Sequence, residues 1–140
     1  MNKKIVLVGG CFDILHYGHV SFLTAAKKLG DVLIVLLESD ENVKRRKGSN
    51  RPIHTETQRK EILEALTVVD QVMMLPTMTT DADYQKLVED IKPAVIAITE
   101  GDPYKDHKER QATSVGATVI EIPKIHTHST SQLVKLLELK

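Results

Sequence analysis

Two histidines, three residues apart, follow a pair of glycines near the start of the chain. His16 and His19 come shortly after Gly9-Gly10. A spacing of three places both imidazoles on one face if this segment opens a helix. A helix N-terminus favours an anion, and imidazole N–H groups can donate hydrogen bonds to phosphate oxygens. The pattern therefore favours a phosphate site; the alternative is that His16 only caps the helix and His19 packs.

A cationic segment lies further along the chain. Residues 44–52 carry five cations and no acid, although the whole chain has 19 basic and 19 acidic side chains and no net charge. We expect this segment, through Lys44, Lys47 and Arg51, to bind a triphosphate; a solvated surface loop is the alternative. Arg59, on the helix predicted next, either reaches back to the same anion or lies on the surface.

Two further segments carry candidate binding groups. Ser129, Thr130 and Ser131 open the last predicted helix, and because one hydroxyl is enough for a cap, three predict contacts with phosphate oxygens. Gly101 and Asp102 lie in segment 99–104, which either lines a base or ribose pocket or forms a simple turn.

Apolar runs and helical spacing predict the elements that position these groups. Strands are expected at 5–8, 32–37, 71–75, 94–98 and 118–122, and helices at 20–29, 55–66, 83–91, 105–115 and 130–139. Three of the strands are almost continuously apolar, which is typical of parallel strands covered on both faces. We expect one domain over residues 1–140, a doubly wound, Rossmann-like α/β fold with a five-stranded parallel sheet. Residues 38–54 and 123–129 are predicted to be irregular, and ligands should bind beyond the carboxyl ends of the strands.

Composition excludes several classes of protein. The chain has 140 residues and is 41% hydrophobic, with no apolar run long enough for a membrane span and no pattern of a secretory signal. Cys11 is the single cysteine, so an internal disulfide and a Cys-rich zinc module are excluded and a cytoplasmic location is expected. The zero net charge argues against a general nucleic-acid binder.

The motifs resemble those of a known family. Residues 10–19, Gly-Cys-Phe-Asp-Ile-Leu-His-Tyr-Gly-His, resemble the His-x-Gly-His signature of cytidylyltransferase-like nucleotidyltransferases. Residues 39–59, with Lys47-Gly48, Arg51-Pro52 and Gln58-Arg59, resemble the adenylyltransferase domain of ADP-heptose synthases, and residues 129–131 resemble the C-terminal Ser-Thr-Thr motif. Glycerol-3-phosphate cytidylyltransferases and FAD synthetases share the first motif. The second segment favours the heptose branch.

The resemblance implies an activity and a set of site residues. A nucleoside monophosphate would pass from ATP or CTP to a phosphorylated sugar or polyol, best D-glycero-β-D-manno-heptose 1-phosphate, with release of pyrophosphate. Mg²⁺ would accompany the nucleotide, and the protein would be a homodimer. The implied catalytic residues are His16, His19, Lys44 and Lys47. The implied nucleotide-binding residues are Gly10, Cys11, Phe12, Asp13, Gly18, Arg51, Arg59, Gly101, Asp102, Ser129, Thr130 and Ser131. Asp13 would act on the metal through water or orient the loop; the alternative is a local turn with the nearby backbone.

The sequence also departs from the family pattern and leaves rival functions open. Lys124 to His128 and Gln132 differ from the residues usual around the Ser-Thr motif, which leaves open the contacts to the triphosphate from this end. Pro103 is inserted in the segment that is Gly-Gly-Asp-Tyr in heptose enzymes, which leaves open the sugar pocket and whether the base is adenine or cytosine. A non-catalytic nucleotide sensor would keep the glycines and cations but would not need two histidines. A zinc hydrolase would use His16, His19, His126 and His128 as ligands. A nucleophilic Cys11 lacks a dedicated base.

Overall fold

The computed structural model describes residues 2–77, 80–125 and 129–138. Strands and helices alternate along most of the chain. The strands are β1 (Ile5–Gly10), β2 (Val32–Leu37), β3 (Gln71–Met74), β4 (Val95–Thr99) and β5 (Thr118–Ile122). The helices are α1 (Tyr17–Lys27), α2 (Asp40–Lys47), α3 (Glu56–Glu64), α4 (Asp81–Ile91), α5 (Lys105–Val115) and α6 (Thr130–Glu138).

The five strands form one parallel sheet in the order β3-β2-β1-β4-β5. The predicted α/β fold with a five-stranded parallel sheet is therefore confirmed. The order reverses between β1 and β4, and the carboxyl edge at such a switch point is where open α/β sheets bind ligands. The loops after these two strands are thus the first place to look for a site.

Each face of the sheet carries its own apolar core, as the continuous apolar strands predict. On one face, Leu23 and Ala26 of α1 and Leu63 of α3 pack on the sheet. On the other face, Val88 of α4 and Ala112 of α5 pack on alternate residues of the same strands. Among the described residues, no helix is both long and apolar enough to cross a membrane.

The prediction that residues 38–54 are irregular was wrong in one respect, because the segment contains α2. Ser39 caps this helix by accepting from the Asn42 N–H at 3.2 Å, and Gly48 ends it with a φ of 105°. Acidic residues lie in its first turn and basic ones in its last, which suits the helix dipole. Only one apolar side chain, Val43, is buried, so the helix leaves almost no apolar periodicity in the sequence.

The other elements lie close to their predicted positions. α1 begins at Tyr17 and α4 at Asp81, each a little earlier than predicted, whereas α5 and β5 have the predicted bounds. The early start of α1 matters most, because it places both histidines at the helix N-terminus.

Candidate active site

His16 and His19 cap the first turn of α1 together. The Nδ1 atom of His16 accepts the Gly18 N–H at 3.0 Å, and the Nδ1 atom of His19 accepts the His16 N–H at 3.3 Å. Their ring centroids lie 4.0 Å apart. In a neutral imidazole whose Nδ1 accepts, the proton is on Nε2. The capping role considered from the sequence is therefore real, and it leaves both Nε2–H groups as donors for a ligand.

Burial keeps the histidine pair uncharged. Burial, together with the nearby His16 and the positive charge of Lys47, lowers the pKa of His19 to about 4. Burial also lowers the pKa of His16. At neutral pH the site therefore offers two neutral N–H donors in fixed tautomers.

The buried His19 makes stability depend on pH. Between pH 6.5 and about 4 the unfolded chain protonates this residue and the folded chain does not. Because the unfolded state then binds more protons, the free energy of unfolding should fall as pH decreases across this window. In urea unfolding between pH 4 and 7, His19→Gln should flatten this slope, whereas Tyr17→Phe, an exposed neighbour in the same turn, should not. Equal slopes in the wild type and His19→Gln would contradict the assignment.

The loop before the histidines has unusual backbone geometry. Phe12 and Ile14 have φ values of 47° and 50°, in the left-handed region that bulky and β-branched residues rarely adopt. The Phe12 ring packs 5.5 Å from the His19 ring, and a Cβ on Gly10 would lie 3.0 Å from Phe12 Cε2. Strain of this kind persists where surrounding contacts fix the backbone, and it is concentrated at functional sites.

Asp13 anchors this loop to the segment before α3. Its carboxylate is 1% exposed and accepts from Arg51 Nε at 2.8 Å, the Ile53 N–H at 2.7 Å and the His54 N–H at 3.0 Å. Burial would raise the pKa of Asp13, but these donors outweigh it and lower the pKa. The carboxylate thus orients the loop by binding the backbone of a distant segment rather than forming a turn with the nearby backbone, and a role for Asp13 towards Mg²⁺ through water stays a prediction.

Arg59 also has a different position from the one predicted. Its side chain is 0% exposed, so it is neither a surface residue nor a free anion ligand. Nη1 donates to the backbone oxygens of Cys11 and Glu38 at 2.8 and 2.9 Å, Nε donates to the oxygen of His54, and Nη2 pairs with Asp40 at 2.8 Å. Arg59 therefore joins the loops after β1 and β2 rather than contacting the nucleotide.

The three hydroxyls at the start of α6 all have protein partners. Ser129 Oγ accepts the Gln132 N–H at 3.2 Å, and Gln132 Oε1 accepts the Ser129 N–H in return. Thr130 Oγ1 donates to the Ile14 oxygen at 2.9 Å, and Ser131 Oγ accepts from Arg51 Nη1 at 3.4 Å. Thr130 thus fastens α6 to the strained loop, Ser129 caps α6 and Ser131 joins it to Arg51; the contacts of these hydroxyls with phosphate stay a prediction.

The predicted cations lie on the last turns of α2. Lys44 and Lys47 are exposed and form no ion pair within the described part of the chain. Lys47 faces the mouth of α1, because its charge contributes to the lowered pKa of His19. Arg46 instead pairs with Glu38 at 3.0 Å, and its guanidinium lies 5.3 Å from the centroid of the Tyr104 ring.

A cavity of about 310 Å³ lies at the carboxyl edge of the sheet, between β1, β4 and helices α2, α4 and α5. Its floor is apolar, with Leu7, Leu36 and Ile96. Its polar wall includes Glu38, Arg46, Tyr84, Tyr104, Lys108 and Gln111. Gly9 and Gly10, the last residues of β1, border the cavity, and the loop that follows them leads to the N-terminus of α1 with His16 and His19, here called the histidine mouth.

The sequence did not predict most of the polar residues in this wall. Glu38 gave one usable signal, a carboxylate directly after a buried apolar strand. Tyr84 comes from a helix that the sequence did not connect with the site. Gly101 and Asp102 do not line the cavity; the Asp102 carboxylate accepts from the Tyr104 N–H and pairs with Lys108 at 2.6 Å, as in the turn considered from sequence.

The rival chemistries gain no support at the site. Burial raises the pKa of the Cys11 thiol despite the charge of Lys47, so a nucleophilic thiolate is disfavoured. His126 and His128 lie outside the described residues. Within the described ranges, no three His, Cys, Asp or Glu side chains are grouped to hold a metal ion.

Curated proteins provide the first comparison. A bifunctional protein HldE from Desulfatibacillum aliphaticivorans is 36% identical over 137 residues, covering 96% of this chain and 27% of that protein. A bifunctional protein HldE from Campylobacter jejuni subsp. jejuni is 47% identical over 105 residues, covering 75% of this chain and 22% of that protein. The chain thus spans about a quarter of the length of these relatives.

Solved structures share the fold. A lipopolysaccharide core biosynthesis protein from Thermoplasma volcanium superposes with a TM-score of 0.72 at 27% identity, over 91% of this chain and all of that one. TmcAL from Thermotoga maritima, bound with α-thio ATP, superposes with a TM-score of 0.68 over 97% of this chain and 50% of its own length, but at 14% identity it shows the fold alone. The sequence profile of the cytidylyltransferase-like family matches residues 7–136. On these grounds, the chain belongs to the cytidylyltransferase-like family of nucleotidyltransferases.

Proposed function

We propose that this protein transfers the adenylyl group of ATP to the phosphate of a sugar 1-phosphate, best D-glycero-β-D-manno-heptose 1-phosphate. The histidine pair carries the proposal: it supplies two neutral Nε2–H donors at a helix N-terminus, beside a free lysine and a cavity with an apolar floor and a polar wall. The HldE relatives and the lipopolysaccharide core biosynthesis protein support the choice of a heptose.

The reaction needs no nucleophilic side chain. An oxygen of the acceptor phosphate attacks the α-phosphorus of ATP in line, the bond from that phosphorus to the bridging oxygen breaks, and pyrophosphate leaves. Catalysis then consists of positioning and of stabilising the charge that develops on phosphate oxygens. His16 and His19 donate to the α-phosphate and bridging oxygens, and Lys44 and Lys47 offset the charge of the acceptor and leaving phosphates.

The histidine mouth and the cavity, which both lie next to the end of β1, suit the two substrates. The histidine mouth and the start of α6 take the triphosphate, through phosphate contacts of Ser129 to Ser131, and the cavity takes the body of the acceptor. A cavity of about 310 Å³ lies at the lower end of the usual range for small-molecule sites. Mg²⁺ is proposed to arrive with the triphosphate and to neutralise part of its charge.

A matrix of substrates tests the function. Pyrophosphate release would be measured with Mg²⁺ for ATP and CTP, each against heptose 1-phosphate, glycerol 3-phosphate and FMN. Release with ATP and heptose 1-phosphate alone supports the proposal. Release with CTP and glycerol 3-phosphate, or with ATP and FMN, would assign the chain to one of those branches. If nucleotide binds but no combination releases pyrophosphate, a sensor role becomes the better interpretation.

Lys47→Gln should lower kcat/KM about 10–100-fold, because a hydrogen bond to a charged group contributes about 1.5–3 kcal/mol. Steady-state pyrophosphate release with ATP and the responsive acceptor measures this loss. Lys28→Gln, which removes an exposed lysine at the other end of α1, is the matched control and should retain activity. Equal activity of the two variants would remove Lys47 from the proposed site.

Two expectations complete the proposal. The protein acts in the cytoplasm, and two copies pair as a homodimer. Light scattering of the purified protein tests the second, since a monomer at all concentrations would contradict it.

A further inference from the structure

Glu38 is a buried carboxylate in the wall of the cavity. Its side chain is 4% exposed at the carboxyl end of β2, and its backbone N–H donates to the Gly10 oxygen at 3.1 Å. Removing a carboxylate from water is costly, and a buried ion pair often adds little net stability compared with apolar residues. A buried glutamate in a substrate-sized cavity therefore calls for a functional explanation.

Three elements fix the orientation of this carboxylate. The Tyr84 hydroxyl from α4 donates to it, lying 3.0 Å from Oε1 and 2.9 Å from Oε2. Arg46 Nη2 from α2 pairs with Oε2 at 3.0 Å. Arg46 is itself held against the Tyr104 ring and lies 3.3 Å from the Tyr84 hydroxyl. Burial and the neighbouring Glu38 raise the pKa of Tyr84 to about 12, so the tyrosine remains a donor at neutral pH.

The carboxylate retains capacity to accept hydrogen bonds. An ionised carboxylate accepts about four hydrogens, whereas Tyr84 and Arg46 together supply two. A hydroxyl is a neutral donor that suits the remaining positions. A carboxylate or a second phosphate at the same place would be repelled.

The rest of the cavity fits a polyhydroxylated body. Leu7, Leu36 and Ile96 form an apolar floor on which the C–H face of a sugar ring can pack, and the polar groups form a wall beside it. The Glu38 end of this cavity adjoins the loop that carries the histidines, because Gly10 borders the cavity, accepts the Glu38 N–H at 3.1 Å and is followed directly by that loop. An acceptor can therefore direct its phosphate towards Lys47 and its hydroxyls towards Glu38.

Resting on the proposed function, we propose that Glu38 is the residue that selects a polyhydroxylated acceptor: its carboxylate, fixed by Arg46 and Tyr84, accepts hydrogen bonds from hydroxyl groups of a sugar phosphate. Tyr84 and Arg46 are positioning residues for this carboxylate. The nucleotide does not use it.

The test compares Glu38→Gln with a matched surface variant, Glu64→Gln, which lies exposed at the end of α3. Calorimetry with heptose 1-phosphate, in the presence of a non-reactive α,β-methylene ATP, measures acceptor binding without turnover. Glu38→Gln should weaken this binding about 10–100-fold, the range for a hydrogen bond to a charged group, and should leave nucleotide binding unchanged. Glu64→Gln should bind both ligands as the wild type does. Tyr84→Phe, which keeps the ring and removes the donor, should weaken acceptor binding by a smaller factor.

Monodeoxy analogues of the acceptor separate recognition from a structural effect. Removing the hydroxyl that contacts Glu38 should weaken binding to the wild type but cause no further loss in Glu38→Gln. Wild-type acceptor affinity in Glu38→Gln, the same response to every deoxy analogue, or an equal loss of nucleotide affinity would overturn the proposal. So would failure of the wild type to bind the sugar phosphate at millimolar concentration. Because these readouts need no turnover, absence of pyrophosphate release would refute the proposed function separately.

Discussion

Replacing His16 with asparagine or His19 with glutamine is expected to lower kcat about 10²–10³-fold while the protein remains folded, by analogy with the loss of one preorganised donor. Asparagine is a good N-cap and can accept the Gly18 N–H in place of His16 Nδ1. Glutamine three residues after a cap can accept the backbone N–H of residue 16, as in a capping box. Both variants thus retain the capping contacts of α1 but lose the Nε2–H donor.

An alanine at either position would remove both the Nε2–H donor and a capping contact of α1, so a loss of activity could come from either change. The conservative pair avoids this, and thermal unfolding should show stabilities close to that of Tyr17→Phe, the control in the same turn. The rate is measured as pyrophosphate release at saturating ATP and acceptor. A kcat within a few-fold of the wild type in both variants would show that the histidines cap the helix and take no part in the reaction.

The largest loss of stability is expected for Arg59→Met. Its guanidinium forms four hydrogen bonds, to three backbone oxygens and to Asp40, in a fully buried position. Methionine fills much of the volume but leaves these acceptors without a partner, so the free energy of unfolding should fall by about 3–5 kcal/mol. Urea unfolding at neutral pH measures the change.

Arg110→Met, on the exposed surface of α5, is the matched control and should change stability by less than about 0.5 kcal/mol. A similar small change in Arg59→Met would mean that the loops after β1 and β2 are held together by other contacts. If Arg59→Met is instead as stable as the wild type but has a raised KM for ATP, the result would support the nucleotide-binding role considered for Arg59 from the sequence.

Local patterns were enough to predict the sheet. Continuous apolar strands, turn residues and helical spacing are properties of neighbouring residues, and they placed every strand. The histidine pair was also visible, since its spacing and the preceding glycines are local. Helix α2 was not predicted, because its stability depends on caps and on charges that suit the helix dipole rather than on an apolar face.

The roles of single polar residues were harder to predict. For Arg59 the sequence left open an anion contact and a surface position, and for Asp13 a role through water, a loop-orienting role and a local turn. The structure buries both, since each satisfies backbone groups from segments distant in sequence. The partnership of Glu38 with Tyr84 joins residues 46 positions apart, and no pattern within either segment indicates it.

Following the α-phosphate of ATP tests the proposed adenylyl transfer directly. The protein would be incubated with Mg²⁺, heptose 1-phosphate and ATP carrying ³²P at the α-position, and the products would be separated. We expect the label to enter a sugar nucleotide while the released pyrophosphate is unlabelled, and His16→Asn to slow this transfer about 10²–10³-fold. Label that accumulates in free AMP, or that stays in ATP although both substrates bind, would contradict it.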